Sequence, residues 1–187
     1  ETDLTLLAPD RPGLLALFTA ALSANGIDIL AAEVNSLADG IALDMFVVRE
    51  AGGGAPSATR WEAARADLLR LLSGADDPHA LVQKRLRRAS WAAAAGPAVE
   101  TKIRVDQVSS QSMTILDVLT QDRPGLLHTI ADALHRTGVS IEVARIATEG
   151  NRATDAFYLR GKLTDPARLA EVVAGVQKAI AALAGRG

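Results

Sequence analysis

A hexapeptide that occurs twice constrains the fold of this chain more than any other feature of its sequence. Asp10-Arg11-Pro12-Gly13-Leu14-Leu15 returns unchanged as Asp122-Arg123-Pro124-Gly125-Leu126-Leu127, 112 positions later. Matches at this offset continue on both sides. One extra residue before Gly40 then changes the offset to 111, which pairs Asp44 with Asp155. Self-similarity of this kind indicates a duplicated structural unit, so we expect two related halves.

Each copy carries the same order of predicted elements, β-α-β-β-α. Behind each hexapeptide, apolar residues recur with helical spacing, and Gly26 and Gly138 provide the helix ends. The alternation of apolar and polar residues in the second strand of each copy slips near 31–34 and 144–146, which predicts a bulge in each copy. The first copy has predicted strands 4–8, 27–36 and 41–48 and helices from 14, 60–72 and 78–89; the second has strands 113–120, 139–148 and 153–160 and helices from 126 and 166–184.

One further strand is predicted between the copies, where apolar and polar residues alternate over 99–105. It completes a βαββαβ unit, so the fold class is α+β, with two ferredoxin-like units in tandem, antiparallel sheets and helices on one face. We place the first unit, with its long second helix and a spacer, at 1–98 and the second at 99–187. The strand either leads the second sheet or the two sheets share edges, and open edges favour a homodimer.

Composition excludes several classes of function. The 187 residues include no Cys, which removes disulfides, thiolate metal sites and Cys nucleophiles and suggests a cytoplasmic location. A net charge of −2 and 3% aromatic residues argue against a nucleic-acid partner. No apolar run is long enough for a membrane partner, and no export signal is visible. The chain starts at Glu1, which suggests a segment of a longer polypeptide.

No pattern of catalytic residues is present, so we predict no catalytic residue, no cofactor and no metal site in this segment. His128 and His135 lie seven residues apart without a carboxylate or third ligand in register, and zinc needs at least three protein donors. We interpret both, and His79, as surface residues. Asp44 and Asp155 lie within apolar strands, where they could pair with neighbours or face water.

The turn between the first strand and the helix of each copy is the candidate site. Pro12 and Pro124 suit a first helical turn, and the glycines that follow allow close approach of a backbone or ligand. Free amides at a helix start can hold a carboxylate, while Asp10 and Asp122 can cap the helix or attract an ammonium group. Such a pocket complements a free α-amino acid. The alternative is a turn in which Asp caps, Pro starts and Gly packs, without any ligand.

These motifs, with Asn25-Gly26 and the hairpin 39–48, resemble a tandem pair of ACT domains. The arrangement is most similar to the C-terminal regulatory part of bifunctional PII uridylyltransferase/uridylyl-removing enzymes. The basic end of the long second helix (85–88), the strand that leads into the second hexapeptide and termination at a helix favour that group. The resemblance implies that glutamine binds and switches distant catalytic domains between uridylylating and deuridylylating the PII signal protein.

The resemblance also implies which residues bind the ligand. The site forms where a strand-to-helix loop meets a strand of a neighbouring domain. Departures at Asn25/Thr137 and Asp28/Ser140 imply that the two sites need not be equivalent. The implied ligand-binding residues are Asp10, Arg11, Pro12, Gly13, Leu14, Asp28, Asp122, Arg123, Pro124, Gly125, Leu126 and Ser140.

Two rival interpretations remain from the residues alone. A structural module could dimerise or dock through its sheet edges without any ligand. Alternatively, the chain could be a free-standing ACT-repeat regulator of the glycine-cleavage-repressor type.

Overall fold

The computed structural model describes residues 1–37, 39–88 and 97–185, and it describes no side chains for 85–88. The spacer predicted around 91–97 and the side chains of the basic helix end therefore lie largely outside the described residues. Among the described residues, no helix combines the length and apolar character that a bilayer crossing requires.

The elements follow the predicted order in both copies. The first copy contains β1 (Thr2–Pro9), α1 (Leu14–Ala24), β2 (Ile27–Ser36), β3 (Ile41–Glu50), α2 (Ala58–Leu72) and α3 (Pro78–Arg88). The region that follows contains β4 (Lys102–Asp106), β5 (Thr114–Gln121), α4 (Leu126–Arg136), β6 (Ile141–Glu149), β7 (Arg152–Leu159) and α5 (Pro166–Ala184). The strand predicted at 99–105 is thus shorter than expected at its start.

The seven strands of the described residues belong to one antiparallel sheet, in the order β1-β3-β2-β6-β7-β5-β4. The two units join where β2 pairs with β6, with Ala31 opposite Ala147 and Asn35 opposite Val143. β4 pairs with β5 at the outer edge of the second unit. The two alternatives considered for the extra strand are therefore both correct. β4 is the leading strand of the second unit's sheet, and the sheets of the two units share an edge. The described part of the first unit has three strands, and the division of the chain at 98 stays a prediction.

Each copy contains the predicted bulge, slightly earlier than expected. The register of β2 on β3 shifts between Ile29 and Ala31, and that of β6 on β7 shifts between Ile141 and Val143. The extra residue bends the strand and increases its twist. Each bulge therefore lies near the start of the strand that follows the first helix of its copy.

The core lies between the sheet and the helices and is continuous across the two units. Phe46 and Phe157, which correspond to each other in the repeat, are both almost completely buried. Helix α1 packs on α4 as well as on α2 and α3, and α4 packs on α5. Val34 and Ile146 lie in the same cluster of buried side chains. Because the cluster spans both units, we expect them to unfold together.

The β2–β6 junction provides a test of this cooperativity. Ile146→Ala is expected to lower the free energy of unfolding by about 2–4 kcal/mol, because a buried side chain is truncated at the junction. Urea unfolding followed by circular dichroism should show a single transition. Amide exchange in β3 and β7 should show that the substitution destabilises both units. Ala147→Ser, at an exposed position next to it, should change stability by less than about 0.5 kcal/mol. Two separate transitions, with only the second shifted, would contradict a shared core.

Candidate functional site

Two bends connect the first strand of each unit to its first helix, and the candidate site is built on them. We call residues 10–14 the first bend and residues 122–126 the second bend. Gly13 and Gly125 have left-handed backbones, with φ of 81° and 78°. This conformation is costly for residues with a Cβ atom. Each bend is therefore a place where the local sequence dictates the backbone.

Backbone hydrogen bonds hold both bends in place. The Asp10 N–H donates to the carbonyl of Gly40 at 2.8 Å, and the Asp122 N–H donates to that of Asn151 at 2.8 Å. These acceptors lie in the turns between the second and third strands of each unit. Neither α1 nor α4 has a side-chain hydrogen bond at its N-cap. The predicted capping role of Asp10 and Asp122 is therefore not seen. The first amide of each helix instead donates to a backbone carbonyl, Leu14 N–H to Arg11 at 3.1 Å and Leu126 N–H to Arg123 at 3.0 Å. An anion at either positive helix end would therefore bind the amides that follow these two.

A cavity lies beside each bend, and each cavity is lined by both units. The first, of about 80 Å³, is lined by the first bend, by Asp44 of the same unit, and by Ser140 and Arg160 of the other unit. The second, of about 50 Å³, is lined by the second bend, by Asp155 of the same unit, and by Asp28 of the other unit. All twelve predicted residues line one of the two cavities. Each cavity therefore combines the bend of one copy with the start of the strand that follows the first helix of the other copy.

Asp44 and Asp155 are functional candidates whose environment the sequence did not reveal. They are 1% and 2% exposed, so the idea that they face water is wrong. Burial raises the pKa of Asp44 to about 6, with a smaller contribution from the charge of Asp10, while the Asn35 N–H acts in the opposite direction. Burial raises the pKa of Asp155 to about 7, with the charge of Asp122 adding to it and the Ala147 N–H opposing it.

Each buried carboxyl group accepts a hydrogen bond from a backbone N–H, that of Asn35 for Asp44 and that of Ala147 for Asp155. Asp44 Oδ1 accepts a hydrogen bond from the Asn35 N–H at 3.4 Å. Asp155 Oδ1 is buried and has no hydrogen-bond partner among the described residues. A buried acceptor without a partner is costly, and a bound cationic donor would relieve that cost. An ammonium group in the second cavity would supply such a donor.

The charges around the two cavities also differ. In the first, Arg160 donates to Asp10 Oδ2 at 3.2 Å and to Glu142 Oε2 at 2.6 Å. In the second, burial and the charge of Asp28 raise the pKa of Asp122, against the lowering effects of the Arg123 N–H and the charge of Arg49. The second cavity is therefore richer in carboxyl groups, and the first contains a cation that already engages its bend.

The repeat itself indicated that the two buried acids have a role, because they occupy corresponding positions in the two copies. Asp44 corresponds to Asp155 at the offset of 111, and Arg49 corresponds to Arg160 at the same offset. An acid inside an apolar strand at the same place in both copies indicates a role, but the sequence alone does not show that the carboxyl faces a cavity. That depends on which side of the sheet the helices cover.

The expected surface positions hold for two of the three histidines. His79 and His135 are exposed, but His128 is 1% exposed, so its assignment to the surface is wrong. It lies in the contact between α4 and α1, where its Nδ1 is 2.9 Å from the carbonyl oxygen of Ala16. The statement that no carboxylate is in register is also wrong, since Asp132 follows one helical turn later and lies close to His128 and His79.

Substitution of Gly13 tests how tightly the first bend is packed. A Cβ atom there would lie 3.0 Å from the His135 ring, whereas one on Gly40, with a similar φ of 76°, would meet nothing within 4 Å. Gly40→Ala is expected to cost about 1–2 kcal/mol of stability from backbone strain alone. Gly13→Ala should cost about 2–4 kcal/mol in urea unfolding, and His135→Ala should recover part of the excess. Equal losses at the two glycines would refute this account.

Asp155 gives the stability a defined pH dependence. The unfolded carboxyl titrates near 3.8 and the folded one near 7, so the native state retains the proton longer and stability falls as pH rises between these values. Asp155→Asn removes this loss and should raise the free energy of unfolding at pH 8 by about 1–3 kcal/mol. Urea unfolding from pH 4 to 8 measures the slope. Asp117→Asn, on an exposed position of β5, should retain the wild-type slope, and an unchanged slope in Asp155→Asn would contradict the prediction.

Comparison with known proteins assigns the repeat. The ACT domain family model matches residues 2–58 and again residues 114–180. The chain is 34% identical over 177 residues to a bifunctional uridylyltransferase/uridylyl-removing enzyme of Gluconobacter oxydans, covering 91% of this chain and 18% of that protein. Proteins of the same description from Azospirillum brasilense and Caulobacter vibrioides are 32% and 34% identical, over 91% and 89% of this chain and 19% and 18% of their own lengths.

The chain thus spans about a fifth of the length of these relatives. The family model matches both copies of the repeat, each of which starts at the strand that leads into a bend. The resemblance inferred from the hexapeptides is therefore confirmed. The chain belongs to the ACT domain family and carries two ACT units in tandem.

Proposed function

We propose that this chain is the regulatory module of a bifunctional uridylyltransferase/uridylyl-removing enzyme and that it binds a free amino acid, glutamine first among them. Binding would switch the catalytic domains of the parent enzyme between uridylylating and deuridylylating the PII signal protein. The relatives' printed activities and the family match support the enzyme class. A cytoplasmic location follows from that class.

One observation carries the amino-acid proposal: each cavity combines a helix start without a side-chain cap and a buried carboxyl group. The amides at the helix start suit the carboxylate of an amino acid. The buried Asp44 or Asp155 suits its ammonium group, with Asp10 or Asp122 close enough to raise the pKa of the buried acid. A ligand with both charges on neighbouring atoms satisfies both features together.

Size supports a small ligand. A cavity needs a volume of roughly 10–15 Å³ to hold one water molecule. The cavities of about 80 and 50 Å³ therefore correspond to several waters, comparable with the charged end of an amino acid. The side chain of the ligand would extend toward the open side of the cavity. Glutamine itself is taken from the family resemblance, since the lining does not select an amide over another polar group.

The crossed lining explains how binding could become a signal. Each cavity takes residues from both units, so a ligand that contacts both favours one arrangement of the units over others. A ligand shifts an equilibrium only by its difference in affinity for the two states. Coupling of about 1–3 kcal/mol is typical of allosteric proteins and would suffice here.

Titration calorimetry with the twenty amino acids tests the proposal. We expect glutamine to bind, and binding in the second cavity to release a proton because the ammonium group lowers the pKa of Asp155 from about 7. The observed heat should then depend on the ionisation enthalpy of the buffer, and affinity should rise by about tenfold from pH 6 to pH 8.

Matched variants assign the heat to the cavities. Asp155→Asn should weaken the second site and remove its proton release, and Asp44→Asn should weaken the first. Asp117→Asn should bind as wild type does, because its carboxyl group lies on an exposed strand position. No heat and no thermal shift with any amino acid would overturn the sensor proposal and favour a ligand-free interaction module.

A further inference from the structure

A second polar cluster lies away from both cavities, in the contact between the helices of the two units. It consists of His79 on α3 and His128 and Asp132 on α4. One ligand atom of each of these three residues lies within 4.8 Å of the others. Two imidazoles and a carboxylate are a donor set that suits divalent first-row transition metals rather than Mg²⁺ or Ca²⁺.

His128 is held in the form that a metal requires. A carbonyl oxygen can only accept a hydrogen bond, so the contact at 2.9 Å makes His128 Nδ1 the donor to Ala16 O. In the neutral ring the lone pair then lies on Nε2, which is buried and has no partner among the described residues. Metal-bound histidines commonly donate their other ring N–H to a backbone carbonyl in this way.

The repeat provides an internal comparison for these positions. At the offset of 112, His128 corresponds to Ala16 and Asp132 corresponds to Ala20. Both alanines are buried in α1, so the helix contact can be made with small apolar side chains. The second copy instead places an imidazole and a carboxylate one helical turn apart, at the cost of burying polar groups. The Ala16 carbonyl accounts for Nδ1 of His128, whereas Nε2 of the same ring has no partner among the described residues.

The surroundings leave room for solvent and for adjustment. A groove of about 390 Å³ is lined by His79, Gln83, Asp132, Arg136 and Lys178. Tetrahedral zinc with bonds of about 2.0–2.1 Å places its ligand atoms about 3.4 Å apart. The three ligand atoms lie up to 4.8 Å apart in the structure. Because His79 is exposed, a small movement of its side chain can bring its ring nitrogen to the shorter distance that zinc requires. Arg136 Nε contacts Asp132 Oδ2 at 2.7 Å, and this exposed guanidinium competes with a cation.

We propose that a ring nitrogen of His79, His128 Nε2 and a carboxylate oxygen of Asp132 form a binding site for a divalent transition metal, with Zn²⁺ as the best match. The fourth position faces the groove and takes water. The metal connects α3 of the first unit to α4 of the second. Because Val82 on α3 lies where a Cβ atom on Gly125 would meet it at 3.2 Å, the metal would also hold α3 against the second bend.

Zinc titration of the chelator-stripped chain tests the site. Calorimetry should give one equivalent of Zn²⁺, and thermal unfolding should shift upward on binding. His79→Ala changes an exposed residue, so the fold should persist by circular dichroism. Affinity should fall by more than the roughly 10- to 100-fold that loss of an outer-shell partner causes, because a direct ligand is removed. Asp132→Asn should weaken binding in the same way, and Arg136→Gln should strengthen it by removing the competing cation. Asp117→Asn serves as the carboxylate control and should bind as wild type.

Nitrogen chemical shifts of the imidazoles provide a readout that a nonspecific surface contact would not change. Zn²⁺ should shift Nε2 of His128 and leave its Nδ1 protonated. Unchanged affinity in His79→Ala, a shift at Nδ1 instead of Nε2, or no uptake of Zn²⁺ below millimolar concentration would each overturn the proposal. No amino acid is present in these measurements, so failure of this site and failure of the sensor proposal are distinguishable.

Discussion

The antiparallel pairing of β2 with β6 is the interaction on which the rest of the structure depends. It turns two small sheets into one sheet of seven strands among the described residues and gives helices from both units a common core. It also relates the two units so that the strand after the helix in one copy lies beside the bend of the other. Without this pairing, each bend would face solvent on that side, and neither cavity would have its second wall.

The same frame supports two sites that differ in charge. Corresponding backbone positions form both cavities, but Ser140 stands in one where Asp28 stands in the other. Arg160 already engages Asp10, whereas burial and Asp28 raise the pKa of Asp122. Duplication therefore preserved the geometry of the bends, while single substitutions changed the electrostatics. A regulatory module built in this way can respond differently at its two sites without any change of fold.

Much of the fold was predictable because local chemistry decided it. The glycines of the bends adopt a backbone that other residues avoid, and the apolar spacing of α1 and α4 is visible in the sequence. Burial was harder to predict. His128 looked like a surface residue because nothing in its own helix shows that α1 covers it. Asp44 and Asp155 were noticed as acids in apolar strands, but their surroundings come from residues distant in the chain.

The sequence by itself determined the duplication, the order of elements and the two bends, because hydrophobic period and glycine conformation act over a few residues. Only the tertiary structure decided that the sheets join through β2 and β6 and that each bend pairs with the other copy. It also decided that Asp155, His128 and Asp132 lie between packed elements. Pairing of strands and burial of charge depend on contacts between distant residues, and a single sequence does not specify which of several open edges will meet.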